Sequence, residues 1–156
     1  MTVATAPRVH VLHVVPGLPL GGMELTMARV IRGLRGGGMR HTVASLKGDN
    51  HIAEHLPPDV EVYSFRAPPN CPQLPLRLAR LIRRLRPTVI HARNWGAWPD
   101  AACARLLARP RPPLVFSFHG LGRAGYMPLR RRLASRVLVR LTTHLFALSE
   151  RSKRML

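Results

Sequence analysis

The chain of 156 residues is poor in cysteine, in acidic side chains and in aromatic rings. Its two cysteines, Cys71 and Cys103, lack a second cysteine at CxxC spacing. The sequence therefore indicates neither a zinc ribbon nor a disulfide framework, and we expect both thiols to be reduced. Aromatic residues make up 5% of the chain, which leaves few flat side chains on which nucleic-acid bases can stack.

The chain also lacks a long hydrophobic run. A membrane-spanning helix needs roughly 18 or more consecutive apolar residues, and the best segment, 9–23, is interrupted by His10, His13 and Pro16. One basic residue precedes this segment and no small-residue cleavage site follows it, so it does not match a secretory signal. These features predict a cytoplasmic protein.

Charge of one sign dominates: 25 Lys plus Arg face 7 Asp plus Glu, for a formal net charge of +18. Lys47 and Lys153 are the only lysines, so the cations are nearly all arginine, which resembles the composition bias of a GC-rich genome. A surface of this charge attracts nucleic acid, acidic lipid or a diphosphate substrate, and charge alone does not select among them. A hydrophobic content of 46% excludes a wholly disordered chain.

Hydrophobic periodicity predicts alternating strands and helices. Short apolar, often β-branched runs bounded by Pro or Gly are typical of strands buried in a parallel sheet. They occur at residues 8–15, 42–46, 60–65, 89–90, 114–118 and 145–148. Apolar stripes opposite arginines predict helices from Met27 to Leu34, ended by glycines 36–38, and over 73–86, from Trp98 onward, and over 128–140. Ser149 is expected to cap a further helix.

This alternation predicts an α/β protein with a Rossmann-like, doubly wound, mostly parallel sheet covered by helices on both faces. We expect residues 1–7 to form a flexible N-terminus and residues 8–156 to form the domain. In open sheets of this kind, ligands bind at the carboxyl ends of the strands. The loops that follow the strands are therefore the places where functional residues are expected.

The loop after the first strand contains Gly21, Gly22 and Glu24. Adjacent glycines at a helix N-terminus let a phosphate approach the backbone N–H groups closely. The spacing is neither GxGxxG nor a P-loop. The alternative is that the glycines only make a tight turn between strand and helix.

Two further loops carry polar and aromatic groups. His119 follows strand 114–118 and can exchange hydrogen bonds with a sugar hydroxyl or phosphate near neutral pH, although a lone histidine is more often structural. His91, Arg93, Asn94, Trp95 and Trp98 follow the run at 89–90, a mixture that suits contact with carbohydrate or nucleotide. The alternative is helix capping by Asn94 and core packing by the two tryptophans.

The segment His51-Ile52-Ala53-Glu54-His55 matches the HxxEH pattern of inverted zincins. Pro57 and Pro58 interrupt any helix at once, and no third ligand is evident in the sequence. A zinc protease is therefore a remote alternative.

The segments 9–15, 21–24, 89–91, 116–120 and 146–149, taken in this order, resemble the N-terminal domain of family 4 glycosyltransferases, which is one half of a GT-B fold. The segment 91–96 looks most like transferases of exopolysaccharide synthesis. The resemblance implies a retaining, hexosyltransferase-type transfer from a nucleotide-diphosphate sugar to a glycan or lipid-linked acceptor, without a metal cofactor. A C-terminal donor-binding domain is missing from these residues, so the chain is expected to be inactive alone.

By the same resemblance, Gly21 and Gly22 offer N–H groups to the donor diphosphate, and Glu24 orders the opening of the helix. His119 contacts the transferred sugar, and Arg93 and Asn94 line the acceptor side. The partners implied are a donor, an acceptor and a second domain or chain. The basic helices 73–86 and 128–140 suit a peripheral position on an anionic membrane, or are simply solvated. A basic nucleic-acid-binding module and a non-catalytic partner of another glycosyltransferase are the rival interpretations.

Overall fold

The computed structural model describes residues 9–35, 37–48, 51–120 and 127–154, apart from the side chain of Arg151. The flexible N-terminus expected at residues 1–7 lies outside this range. The strands are β1 (Val9–Val15), β2 (Met39–Ser45), β3 (Glu61–Ser64), β4 (Val89–Arg93), β5 (Leu114–Phe118) and β6 (His144–Ala147). The helices are α1 (Gly22–Gly33), α2 (Leu74–Leu85), α3 (Trp98–Leu107), α4 (Leu129–Arg140) and the short α5 (Glu150–Lys153), with a 3-10 turn at Ala53–His55.

The six strands form one sheet in the order β3-β2-β1-β4-β5-β6, and every neighbouring pair is parallel. The chain thus starts in the middle of the sheet, builds outward to β3, crosses back past β1 to β4 and builds outward again. This confirms the predicted Rossmann-like α/β fold. It also brings the carboxyl ends of β1, β4 and β5 together at the centre of one sheet edge.

The core is divided by the sheet into two unequal parts. The larger part fills the space between the sheet and the layer α2–α4, with Trp98, Phe116 and Phe118 wholly buried. The smaller part packs α1, through Met27 and Ile31, onto β1 and β2. Successive residues of a strand point to opposite faces, so the two parts draw on alternate residues of the same strands.

Several predicted boundaries are wrong, among them the start of β2, which lies at Met39 and not at residue 42. The sequence predicts only residues 89–90 as strand, whereas β4 continues through His91 to Arg93 because it is paired on both sides, with β1 and β5. The first helix ends at Gly33, before the glycine run, and the Leu34 N–H closes its last turn onto the Val30 carbonyl. The predicted cap of the last helix is confirmed, since Ser149 Oγ accepts a hydrogen bond from the Ser152 N–H at 3.1 Å.

Among the described residues, no helix combines the length and the apolar character that a membrane crossing requires.

Candidate functional site

The turn between β1 and α1 carries the glycines predicted to meet a diphosphate. Gly21 is the N-cap residue in an extended conformation, without a side-chain hydrogen bond to the cap, and Gly22 is the first residue of α1. A Cβ added to Gly22 would meet nothing within 4 Å. Packing therefore does not require glycine at this position, and the space beside its backbone is open to a ligand.

Glu24 lies in the first turn of α1 and is buried. Its carboxylate turns back over the helix opening, because a Cβ added to Gly21 would lie 2.6 Å from Glu24 Oε2. A negative side chain at a helix N-terminus is stabilised by the helix dipole. The structure thus places the Glu24 carboxylate beside Gly21 at the start of α1, and a side chain at position 21 would displace this flexible carboxylate.

A row of polar side chains crosses the sheet on the α1 face, from positions within β2 and β1 to the carboxyl ends of β4 and β5. It consists of His13 on β1, His41 on β2, His91 and Arg93 on β4, Ser117 on β5 and His119 just after β5. His13 lies directly opposite His91, and Arg93 lies opposite Ser117, in the register of the sheet. We call these six residues the polar row.

A hydrogen-bonded chain runs through one end of the polar row. Ser117 Oγ lies 2.9 Å from His91 Nε2 and 3.0 Å from His119 Nε2. A hydroxyl has one proton, so when Ser117 donates to His119 it accepts from His91. The His119 proton then sits on Nδ1. Ser117 thereby links the tautomers of the two histidines.

The other end of the polar row is a pair of buried imidazoles. His13 Nε2 lies 3.1 Å from His41 Nδ1, and the two rings stack with centroids 5.4 Å apart. Within the described part of the chain, His13 Nδ1 and His41 Nε2 have no hydrogen-bond partner. Buried polar atoms are usually paired, so these two are sites where water or a ligand is expected to complete the network.

Arg93 lies in the middle of the polar row and is 5% exposed. Burial lowers the pKa of its guanidinium to about 10, so it stays cationic at neutral pH. No described carboxylate forms an ion pair with it. A buried cation without an acidic partner is costly to keep, and it favours binding of an anion nearby.

Burial and the Arg93 charge keep the histidines of the row neutral. Burial first, then Arg93 and His119, lower the pKa of His91 to about 3. The pKa values of His13, His41 and His119 are also lowered, with burial as the largest cause in each case and Arg93 contributing. At neutral pH the row therefore presents imidazole donors and acceptors beside a single positive charge.

Asn94 and the tryptophans start the connection from β4 to α3. Asn94 has a left-handed backbone (φ 62°), and its side-chain Oδ1 accepts a hydrogen bond from the Trp95 N–H at 2.9 Å. Trp98 is a core residue, stacked on Phe116 with centroids 3.9 Å apart. Trp95 is only partly buried and meets Trp98 edge-on. The core-packing interpretation thus holds for Trp98, whereas Trp95 remains accessible to a ligand.

The HxxEH segment does not form a catalytic helix. It lies in a turn followed by the three-residue 3-10 element Ala53–His55, with both His51 and His55 exposed. In the described ranges, no group of three or more His, Cys, Asp or Glu side chains is arranged to hold a metal ion.

The structure brings together three of the predicted site residues and adds three that the sequence did not single out for the site. His119, Arg93 and His91 belong to one polar row, while the glycines and Glu24 lie at the end of β1 and Asn94 follows β4. Ser117 and His13 were missed because they lie inside apolar runs, and His41 was missed because it lies between Arg40 and Thr42, just before the run predicted at 42–46. The signal available was the alternation of polar residues within β1 and β5, since His13 and Ser117 fall on one face.

The fold and the site define a Rossmann-like domain with a glycine turn after β1 and a polar row that reaches the ends of β4 and β5. The family model for glycosyltransferase family 4 matches residues 20–156. The chain therefore belongs to glycosyltransferase family 4, and it corresponds to the N-terminal domain of a GT-B fold.

Solved structures of three proteins illustrate the likeness in fold. A glycosyltransferase from Rickettsia africae has a TM-score of 0.71 at 14% identity, over 94% of this chain and 38% of that one. The HepE protein of Anabaena, in complex with UDP and glucose, has a TM-score of 0.69 at 22% identity, over 95% and 40%. The UDP-GlcNAc 2-epimerase of Methanocaldococcus jannaschii has a TM-score of 0.63 at 13% identity, over 93% and 41%.

The chain thus spans about two fifths of the length of these proteins. One of the three is an epimerase, so the likeness to solved structures shows the fold and not the reaction. No curated protein matches this chain.

Proposed function

We propose that this chain is the acceptor-side half of a retaining, hexosyltransferase-type glycosyltransferase. It moves a sugar from a nucleotide-diphosphate donor to a glycan or lipid-linked acceptor, as in exopolysaccharide synthesis, and it is inactive without a second, donor-binding domain or chain. The observation that carries the proposal, beyond family membership, is the linked chain from His91 through Ser117 to His119 at the carboxyl end of β5.

In this proposal His119 contacts the transferred sugar. Its ring is only partly buried, and its Nε2 is held by Ser117, which leaves Nδ1 to hydrogen-bond a sugar hydroxyl. Because its pKa is lowered by burial and by Arg93, His119 acts as a neutral hydrogen-bonding group. The contact is therefore directional and does not add charge to the site.

Gly21 and Gly22 offer backbone N–H groups to the donor diphosphate in this proposal, and Glu24 holds the helix opening in place. The open space beside Gly22 supports this role, as does the general affinity of helix N-termini for phosphate. Arg93 and Asn94 act on the acceptor side. The buried Arg93 does so through its charge, and the partly buried Asn94 does so through its side-chain amide.

The proposed transfer breaks the bond between the anomeric carbon and the diphosphate oxygen. A new bond forms from that carbon to an acceptor hydroxyl oxygen, and the hydroxyl proton passes to the departing nucleoside diphosphate. Anionic charge that develops on the diphosphate is stabilised by preorganised N–H groups and cations. The proposal includes no metal cofactor.

Release of nucleoside diphosphate from nucleotide sugars tests the proposal. We expect release by the product of the whole reading frame, or by the chain mixed with its partner, and none by the 156-residue chain alone. In the active form, His119→Ala should lower kcat by roughly 100-fold, and Gly22→Ala should chiefly raise the donor KM. Without release by any form, steep salt-dependent binding of DNA or RNA would support the rival binding module.

We also propose a peripheral position on the cytoplasmic face of an anionic membrane. The α4 surface supports this, because Leu129, Leu133 and Val137 recur every four residues and are each more than half exposed. Arginines flank this stripe, and α4 contains no acidic residue. An exposed apolar stripe beside cations is typical of helices that lie in a lipid interface.

The basic face of α2 differs, since part of it is engaged within the protein. Arg77 donates to the Phe65 carbonyl and Arg84 donates to Tyr63 Oη, and both guanidinium groups lie over the rings of these residues.

Sedimentation with phosphatidylglycerol-containing vesicles tests the assignment of membrane binding to α4. We expect a Leu133→Gln, Val137→Gln double variant to bind about tenfold more weakly, whereas Leu107→Gln, an exposed leucine on α3, should bind normally. Equal binding to phosphatidylcholine alone would exclude the anionic surface.

A further inference from the structure

A cavity of about 480 Å³ lies at the carboxyl edge of the sheet, on the α2–α4 side. The segments that follow β2, β3 and β4 form its walls together with the first turn of α4. The side chains that matter here are Lys47, Asn70, Trp95, Asp100, Arg130 and Arg131. The volume falls within the roughly 300–1,000 Å³ of typical ligand pockets. With the exception of Trp95, no predicted site residue lines it.

The charge of this cavity is unbalanced. Lys47, Arg130 and Arg131 converge on it from two separate segments, and Asp100 is the acidic side chain in its wall. In the described part of the chain, none of the three cations takes part in an ion pair or a side-chain hydrogen bond. Three cations facing one carboxylate leave an excess of positive charge around the cavity, which attracts an anionic group, and arginine favours the planar geometry of carboxylate and phosphate.

The remaining polar and aromatic groups suit a saccharide. Trp95 packs edge-to-face against Trp98, with the ring centroids 5.6 Å apart. The Arg131 guanidinium lies 5.8 Å from the Trp95 ring centroid. The Asn70 amide and the Asp100 carboxyl are the donors and acceptors that sugar hydroxyls require. Burial raises the pKa of Asp100, and nearby Lys47 opposes this shift.

We propose that this cavity binds a saccharide that bears an anionic group, either a phosphate or a carboxylate. Arg130, Arg131 and Lys47 hold the anionic group, and Trp95, Asn70 and Asp100 contact the sugar. The identification of this saccharide as the acceptor rests on the proposed function. The binding itself does not, since the cavity is formed by this chain alone.

Calorimetric titration of the 156-residue chain tests the assignment, with glucose 1-phosphate, glucuronate, glucose and inorganic phosphate as probes. We expect glucose 1-phosphate or glucuronate to bind at least about tenfold more tightly than glucose or inorganic phosphate. The tighter of the two acidic sugars identifies the anionic group. The fluorescence of Trp95 should change on binding, because this ring lies in the cavity wall whereas Trp98 is wholly buried.

The critical variant is Arg130→Gln with Arg131→Gln, which should abolish the preference for acidic sugars over glucose. Its matched control is Arg132→Gln with Arg136→Gln, which removes two exposed charges from the same helix outside the cavity and should keep the preference. Lys47→Gln removes a cation from a different segment and should weaken the binding of acidic sugars as well. Circular dichroism confirms that each variant is folded.

Three results would overturn the proposal: equal affinity for glucose and glucose 1-phosphate, equal affinity for inorganic phosphate and glucose 1-phosphate, or equal losses of affinity in the critical and control variants.

Failure of the proposed function would give a different result from failure of the cavity proposal. In that case acidic sugars bind as expected, but no form of the protein releases nucleoside diphosphate in their presence. Transfer to acidic-sugar acceptors that is unaffected by the critical variant would refute the cavity as the acceptor site and leave the transferase function standing.

Discussion

The two faces of the central sheet differ in the chemistry of adjacent residues. On the α2–α4 face, Phe116 and Phe118 are wholly buried among apolar side chains. On the α1 face, the intervening Ser117 connects two histidines. The same short strand therefore contributes to the stability of the fold on one side and to the polar row on the other. Because successive side chains of a strand point to opposite faces, residues only a few ångströms apart can pack the core on one face and form a polar site on the other.

Replacing Phe116 with alanine should produce the largest effect. The ring is wholly buried and stacks on Trp98 at 3.9 Å, so its loss removes apolar burial and leaves a cavity. We expect a loss of about 3–5 kcal/mol in the free energy of unfolding, measured by urea denaturation. A loss below that of Ser117→Ala would contradict the contrast between the two faces.

Acid should act mainly on the α1 face, which carries four of the five described histidines whose pKa is lowered, while the fifth, His10, lies on the opposite face of β1. The pKa of His91 is about 3 in the folded protein, against roughly 6.5 in an unfolded chain. Between these values the unfolded chain binds a proton that the folded chain does not. Stability from His91 is therefore present above pH 6.5 and falls by about 1.4 kcal/mol per pH unit as the pH drops. The lowered pKa values of His13, His41 and His119 act in the same direction.

Denaturant titrations between pH 7 and pH 4 test this expectation. The His91→Gln variant should show a shallower dependence on pH than the parent chain, by about 1.4 kcal/mol per unit. His144→Gln removes an exposed imidazole from the same sheet and serves as the control. Identical slopes for His91→Gln and the parent would refute the assignment of acid sensitivity to the polar row.

Ser117→Ala should have a smaller effect on stability and a larger one on function. It removes two side-chain hydrogen bonds, and we expect a loss of about 1–2 kcal/mol in the free energy of unfolding. In an active form of the enzyme, it should lower kcat more than it raises the donor KM, because His119 loses the partner that fixes its tautomer. Ser117→Thr retains the hydroxyl and should recover activity. An alanine variant with unchanged kcat would exclude a positioning role.

The smallest effect on stability is expected at the exposed apolar stripe of α4. Leu133 is about half exposed, so Leu133→Gln should change the free energy of unfolding by less than about 0.5 kcal/mol. Thermal denaturation measures this change. A large destabilisation would mean that the stripe packs within the protein, which would remove it as a surface for lipid.

Much of the fold follows from patterns that are local in sequence. The run 114–118 is predicted and observed with the same ends, and the arginine-rich helix predicted over 73–86 forms as α2 from Leu74 to Leu85. Both depend on periodicities of two and about 3.6 residues, which any single segment reveals. The prediction fails at β4, where His91 and Arg93 lack apolar character and yet belong to a strand. Their inclusion depends on pairing with β1 and β5, which are distant in sequence.

The candidate site likewise has a part that the sequence predicts and a part that it does not. The sequence singles out His119, Gly22 and Glu24 because strand ends and glycine-rich turns are visible locally. It does not reveal that Ser117 joins His91 to His119, because residues 91 and 117 meet only through the pairing of β4 with β5. Nor does it reveal the cavity, where Lys47 and Arg131 come from segments more than 80 residues apart and are two among 25 cations in the sequence.

The sequence by itself determined the order of strands and helices, the glycine turn after the first strand, the strongly basic character and the resemblance to family 4 glycosyltransferases. These depend on local periodicity, glycine placement and composition. Only the tertiary structure decided that four histidines and Arg93 share one row across the sheet, and that three cations surround one cavity. The physical reason is that proximity across a sheet is set by strand order and register, which arise from contacts distant in sequence.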